Sequence, residues 1–247
     1  MDTRWMLLWF EAPLQSWGAD SKFSRRDTLE FPTKSGVLGL VLCAMGASGE
    51  QKELLARLSN LKQTVLSFRY DRESLLHDFQ MIGSGYDSKN KWQKNFIPKK
   101  SDGDAPTNSD GTKLTHRYYL QNAIFAVLFE VPADLTEKIA NFLQNPVYPI
   151  YLGRRCCVPT DFVYQGEFAS ENEAEQAAKD YAAKKSELHN ENLPEYAKKS
   201  LSLNFKVIDG DFPEMGDVFT LNDVPIQFGT QKMYRDRRVT KISEGLS

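Results

Sequence analysis

The chain has 247 residues, 41% hydrophobic and 26% charged, enough to bury a core in one large domain or one domain with an appendage. Its 31 Lys+Arg against 33 Asp+Glu give a formal charge of −2 at pH 7, which excludes a uniformly basic nucleic-acid binder. Three cysteines, two of them the adjacent Cys156 and Cys157, exclude a disulfide framework; with no Cys/His cluster at zinc spacing, neither metal nor cofactor is expected.

Trp5–Phe10 is a run of large apolar residues ending before Pro13, which predicts a buried first strand. It is too short to cross a membrane and lacks a small-residue cleavage site, so a cytoplasmic protein without membrane attachment is expected. Leu14–Pro32 has no period and several turn formers, and reads as a long loop. Gly36–Gly46, preceded by Ser35, is an apolar helix with small residues at Gly36 and Gly39 that let it lie close to a sheet. Leu54, Leu55 and Leu58 predict a short second helix and Thr64–Tyr70 a strand. Gly83–Leu114 is a polar excursion whose few large side chains, Trp92, Phe96 and Ile97, follow no strand or helix period; a segment this long inside a domain is functional or disordered. Gln121–Val131 is a strong strand, and Asp134–Leu143 a helix with apolar Leu135, Ile139, Phe142 and Leu143.

This order up to Tyr151 predicts an α+β, modified ferredoxin-like (RRM-like) unit with the excursion as a protruding hairpin. The composition changes after Pro159. Glu171–Leu188 is an Ala-, Glu- and Lys-rich helix, and Leu201–Ile208 and Val218–Phe228 read as strands. A boundary near Cys157 divides the chain into an RNA-binding domain over 1–157 and a small C-terminal extension over 158–247.

Charge is unevenly distributed. Lys89–Tyr118 holds seven Lys/Arg and three Asp, Lys232–Lys241 five Lys/Arg and one Asp, whereas Glu167–Tyr196 holds eight acids and three bases. One face can therefore meet phosphate while another stays acidic.

Three motifs stand in order. Ala12-Pro13-Leu14-Gln15-Ser16-Trp17-Gly18 closes the first strand. Arg25-Arg26-Asp27-Thr28 leads into Phe31-Pro32-Thr33-Lys34-Ser35-Gly36-Val37-Leu38-Gly39-Leu40. Tyr148-Pro149-Ile150-Tyr151-Leu152-Gly153-Arg154-Arg155-Cys156-Cys157 follows the second long helix. Together they resemble the CasD family of type I-E CRISPR systems, and the likeness reappears at Pro225-Ile226-Gln227-Phe228. The resemblance implies a non-catalytic subunit that grips the 5′ handle of the CRISPR RNA, caps a filament of CasC-type backbone subunits and contacts the large CasA-type subunit. It also implies that the excursion inserts beside the guide RNA.

The residues give this a chemistry. Lys34 and Ser35 sit where a helix begins, and free N–H groups there attract phosphate. Arg25, Arg26, Arg154 and Arg155 offer paired donors to phosphate, and Arg117 adds a cation from the basic run. Trp17, Trp92 and Tyr151 offer faces for unpaired bases. The rival reading is a metal-independent endoribonuclease using Lys113, His116, Tyr118 and Tyr119 to move protons at a 2′-hydroxyl; the resemblance to a family with a separate CasE nuclease argues against it, and no catalytic residue is assigned.

Overall fold

The computed structural model describes residues 2–18, 24–70, 74–82 and 113–243. Most of the 83–114 excursion, Trp92 included, therefore lies outside the described residues.

Strand β1 (Thr3–Glu11) is the axis of the molecule. Its run is apolar on both faces because both faces are covered: Met6, Leu8 and Phe10 enter one core cluster, and Trp5, Leu7 and Trp9 the other. Each such burial contributes about 1.5–3 kcal/mol. The stretch read as a loop holds four two-residue strands, β2 (Leu14–Gln15), β3 (Trp17–Gly18), β4 (Arg25–Arg26) and β5 (Thr28–Leu29). Helix α1 (Lys34–Ala44) begins two residues earlier than its glycines indicate. Its N-cap is Thr33, whose Oγ1 accepts from Gly36 N at 3.1 Å. Helix α2 (Lys52–Leu58) and strand β6 (Gln63–Arg69) follow.

Strands β7 (Ser74–Ile82) and β8 (Lys113–Gln121) form an antiparallel ribbon on either side of the excursion, so Lys113 and Leu114 belong to a strand. The predicted strand over Gln121–Val131 is interrupted by a turn at Asn122, which takes a left-handed φ of 52° that asparagine tolerates, before β9 (Ile124–Pro132). Helix α3 (Ala133–Gln144) buries Leu135, Ile139 and Leu143 at four-residue spacing. Strand β10 (Tyr164–Phe168), helix α4 (Glu171–Asn190) and strands β11 (Ser202–Asp209), β12 (Asp217–Gln227) and β13 (Met233–Ser243) complete the chain. The basic stretch Lys232–Lys241 is mostly β13.

Seven strands form one antiparallel sheet in the order β10-β1-β9-β6-β11-β13-β12. Strands from both sides of Cys157 share it. Buried residues of α1, α2 and α3 join the Met6–Phe10 face, while Ala174, Ala178 and Ala182 of α4 lie on the Trp5–Trp9 face. A second sheet, β2-β8-β4 with β7 on β8, stands beside the first.

Candidate nucleic-acid interface

The first and third motifs meet directly. Ser16 N donates to Leu152 O at 3.1 Å. Gly153 has φ +102°, and a Cβ there would stand 1.8 Å from Ser16 O, so only glycine lets the Tyr148–Cys157 segment lie on the β2–β3 connection. The result is an open cleft of about 870 Å³. One wall carries Arg26, Ser35, Tyr148, Tyr151 and Arg154; the other carries Gln51, Phe228, Lys232 and Tyr234. The second wall is held by Phe228 N donating to Glu50 O at 3.0 Å. No sequence argument assigned Phe228, Lys232, Tyr234 or Tyr148 to the site, although the recurring similarity ended at Phe228.

Five of the ten expected RNA contacts, Trp17, Arg26, Ser35, Tyr151 and Arg154, border this cleft. Trp17 is a correction in kind. It is 1% exposed, stacks on Phe10 at 5.3 Å and 20°, and donates from Nε1 to Gln15 Oε1. A Cβ on Gly36 would touch its ring at 3.0 Å. Both faces are taken, so Trp17 supports the floor and no base stacks on it.

Lys34 is a second correction. Its side chain is 5% exposed and turns into the fold, Nζ donating to Leu61 O and Asp209 Oδ2 at 2.7 Å. Burial holds its pKa below the usual lysine range against the pull of Asp209. Its backbone N–H is also spent, on Asp223 Oδ2 at 2.7 Å. With Gly36 N capped by Thr33, the positive end of α1 is already neutralised by a protein carboxylate. Asp223 and Asp209 also bind Arg237, so the four residues form one buried network joining α1 to β11, β12 and β13.

Arg154 is a positioning residue. It donates to Tyr118 O at 2.9 Å and Arg26 O at 2.8 Å, and its guanidinium lies 4.5 Å over the Tyr119 ring. It thereby ties the cleft wall to β8 and β4. Arg155 is exposed beside it. Arg25 is also exposed, paired with Asp27 at 2.9 Å, which raises its pKa, and lies 4.9 Å over Tyr118.

The parallel pairing of β4 with β8 sets Arg26 opposite Arg117 and Arg25 opposite His116. Arg26 and Arg117 thus fall side by side on one face, next to the cleft mouth. Neither has a side-chain hydrogen bond or ion pair among the described residues, whereas Arg57, Arg237 and Arg238 are all matched to aspartates. Asp78 stands opposite Arg117 in the ribbon but forms no ion pair with it, and two adjacent guanidinium groups left unpaired favour an external anion. The other basic run is mostly spent internally: Arg235 on Asn60, Arg237 on Asp209 and Asp223, Arg238 on Asp211 and Lys241 on Glu30. Lys232 alone of that run lines the cleft.

Of the groups named for cleavage, His116 and Tyr118 share one face of β8, where the His77 ring stacks on both at 5.1 and 4.6 Å, and Tyr119 lies on the other face. Tyr119 is buried with its hydroxyl 3.6 Å from Cys156 Sγ. His116 meets His77, Nδ1 to Nε2 at 2.9 Å with the rings within 12°. The two imidazoles share a hydrogen bond and leave no room between them for a phosphate. The Lys113 side chain lies outside the described residues. Among the described residues no group of three or more His, Cys, Asp or Glu side chains suits a metal, and no helix is long and apolar enough to cross a membrane.

A family model described as CRISPR-associated protein (Cas_Cas5) matches residues 5–240. The CRISPR system Cascade subunit CasD of Escherichia coli (strain K12) is 29% identical over 168 residues, covering 66% of this chain and 70% of that protein. Among solved structures, a chain of a CRISPR RNA-guided surveillance complex superposes with TM-score 0.66 at 24% identity, covering 97% of this chain and 89% of that one. A crystal structure of a Cas protein superposes with TM-score 0.55 at 22% identity over 98% of both chains. These two likenesses concern the fold.

Proposed function

Since the chain belongs to the Cas5 family of CRISPR-associated proteins, we propose that it is a non-catalytic, cytoplasmic subunit of a CRISPR RNA-guided surveillance complex, binding the 5′ handle of the CRISPR RNA and capping a CasC-type filament beside a CasA-type subunit. The observation that carries the RNA reading is the pairing of Arg26 with Arg117 at the mouth of a cleft lined by Tyr151, Tyr148 and Tyr234. Phosphates of a single strand lie along the two arginines and Arg155, and an unstacked base enters between the aromatic walls. Ser35 offers a hydroxyl to the same strand.

A ferredoxin-like arrangement is supported by the strand order β10-β1-β9-β6, in which the fourth, first, third and second strands of a βαββαβ unit are neighbours. On this reading β11, β12 and β13 are the C-terminal extension, and they contribute the second cleft wall. The sheet face that an RNA-recognition fold would leave open is covered by α4, which supports an RNA path along the cleft and β4–β8.

The test is a gel shift with repeat-derived RNA at several salt concentrations. Arg26→Ala and Arg117→Ala should each weaken binding and lower the slope of log K against log salt by about 0.7, one released counterion per lost phosphate contact. An unchanged slope in both variants removes the arginine pair from the interface.

A further inference from the structure

The two sheets end in edges that differ in protection. Strand β12 carries Pro225 and the exposed Asp217, and α1 and α2 pack against it. Strand β10 is five residues long and contains Gly166. Strand β7 is nine residues, Ser-Leu-Leu-His-Asp-Phe-Gln-Met-Ile, with no proline, glycine or lysine. It pairs with β8 on one side, and no strand among the described residues pairs with its other edge. An edge of this length leaves a row of backbone donors and acceptors open, and proteins ordinarily blunt such edges.

The same strand shows one strongly apolar face. Leu75, Phe79 and Met81 are 56, 54 and 54% exposed. The register sets Met81 opposite Leu114, itself exposed, and Phe79 opposite His116. Leu75, His77, Phe79 and Met81 alternate with Leu76, Asp78 and Gln80, so the apolar side chains share a face. This is an apolar patch at an edge left unpaired among the described residues, and the arginine pair lies on the opposite face of the ribbon, with Arg117 opposite Asp78.

We propose that β7 receives an extended segment of a partner protein as an added strand, with apolar residues at alternate positions beside Leu75, Phe79 and Met81 and a lysine or arginine beside Asp78. Charge selects this occupant. Asp78 is the only carboxylate in the strand; it accepts from Gln80 Nε2 at 2.8 Å and, although Arg117 stands opposite it, forms no ion pair among the described residues, so its charge is open to a basic residue on the other edge. A second copy pairing antiparallel about Asp78 sets carboxylate against carboxylate, which destabilises cross-strand pairs. RNA satisfies neither the open N–H and C=O row nor the leucine and methionine side chains, whereas strand addition satisfies both. The inference rests on the chain working inside a multi-subunit complex but not on its binding RNA through the cleft.

The experiment compares the free chain with the complex purified from its host through a tag on this chain. Amides of residues 74–82 should exchange at least about tenfold more slowly in the complex. A photo-crosslinking residue in place of Gln80 should join to a polypeptide segment carrying a basic residue. Phe79→Lys should cut incorporation into the complex at least about tenfold by charging the edge, while the gel shift of the isolated variant with repeat RNA stays that of the wild type. Crosslinks to RNA alone or to a second copy, or unchanged exchange, overturn the proposal. A wild-type chain that binds no repeat RNA yet shows protection and a protein crosslink overturns the RNA function and leaves this one standing.

Discussion

Replacing Asp223 by alanine tests the view that the Lys34 motif serves the fold. Asp223 is 5% exposed and accepts from Arg237 Nε at 2.7 Å, Arg237 Nη2 at 2.8 Å and the Lys34 backbone N–H at 2.7 Å. Burial works against the Arg237 charge, but the carboxylates of Asp223 and Asp209 hold its pKa above the usual value. Removing Asp223 leaves that guanidinium, 10% exposed, with Asp209 alone and opens the start of α1. Breaking a buried pair in this way costs about 3–5 kcal/mol. At about 2–4 °C per kcal/mol for a chain of this size, the Tm falls by roughly 6–20 °C. The matched control is Asp211→Ala, which breaks the exposed 3.1 Å pair with Arg238 and should cost no more than about 1 kcal/mol. Thermal melts followed by circular dichroism separate the two. Equal shifts in both variants would refute the assignment of the network as the lock between α1 and the last three strands.

Lys34→Met should leave the salt slope of RNA binding unchanged, because its ammonium faces Asp209 and Leu61; a slope reduced by about 0.7 in a gel-shift series would return it to the RNA site. Gly153→Ala should lower the Tm and RNA affinity together, since its Cβ meets Ser16 O and the left-handed φ strains alanine by about 1–3 kcal/mol; unchanged melting would show that the cleft wall does not depend on this approach. Acid should loosen α4. Burial pushes the Glu175 and Asp161 carboxyls up, but Lys179 and Lys206 at the first and Lys185 with Tyr181 at the second hold both below the ordinary range. Their stabilisation is complete above the unfolded values near 4 and is lost as pH falls through the lower folded values, so fluorescence of Trp5 and Trp9 beneath α4 should report loss below about pH 4 that Glu175→Gln reduces. Purified protein should leave a repeat-containing transcript uncut in EDTA and in magnesium; cleavage at one position, abolished in His116→Ala, would establish the endoribonuclease reading.

What the sequence made legible follows contact distance along the chain. Strand β1 and helices α1, α3 and α4 are encoded by local period and were placed within about two residues, the ordinary uncertainty of a helix end. The polarity of Lys34 points to phosphate because its carboxylate partners are Asp209 and Asp223, and no local pattern reveals a pairing over that separation. The same holds for β4: two arginines inside an apparent loop gain a strand partner only when β8 arrives from residue 113 onward. Trp17 looks like a stacking platform because it sits beside glycine and serine in a turn, yet that glycine and serine belong to a tight connection that packs the ring inward. Strand β7 has no firm bounds in the sequence because its apolar set, Leu75, Phe79 and Met81, alternates with Leu76, Asp78 and Gln80 and faces solvent.

The covered sheet has a further consequence for where an RNA can lie. Trp5, Trp9 and Phe68 are the aromatic residues that a four-stranded RNA-recognition sheet would offer to bases, and here they are buried beneath Ala174, Ala178 and Ala182. The alanines bring α4 close, and Thr64–Glu171, Lys206–Glu175 and Tyr181–Asp161 bonds fix it along its length. An anchored helix with this many separate ties does not lift to admit a strand. Its outward charges are mainly acidic, so the outer surface of the helix repels phosphate as well. For the proposed RNA role the cleft is the aromatic surface beside the arginine pair, its lining including Tyr148, Tyr151 and Tyr234 with Arg26 and Lys232. The near-neutral total charge hides this partition between the acids of α4 and the unpaired Arg26 and Arg117, so for the proposed RNA role unpaired arginines are a better guide to the binding face than net charge.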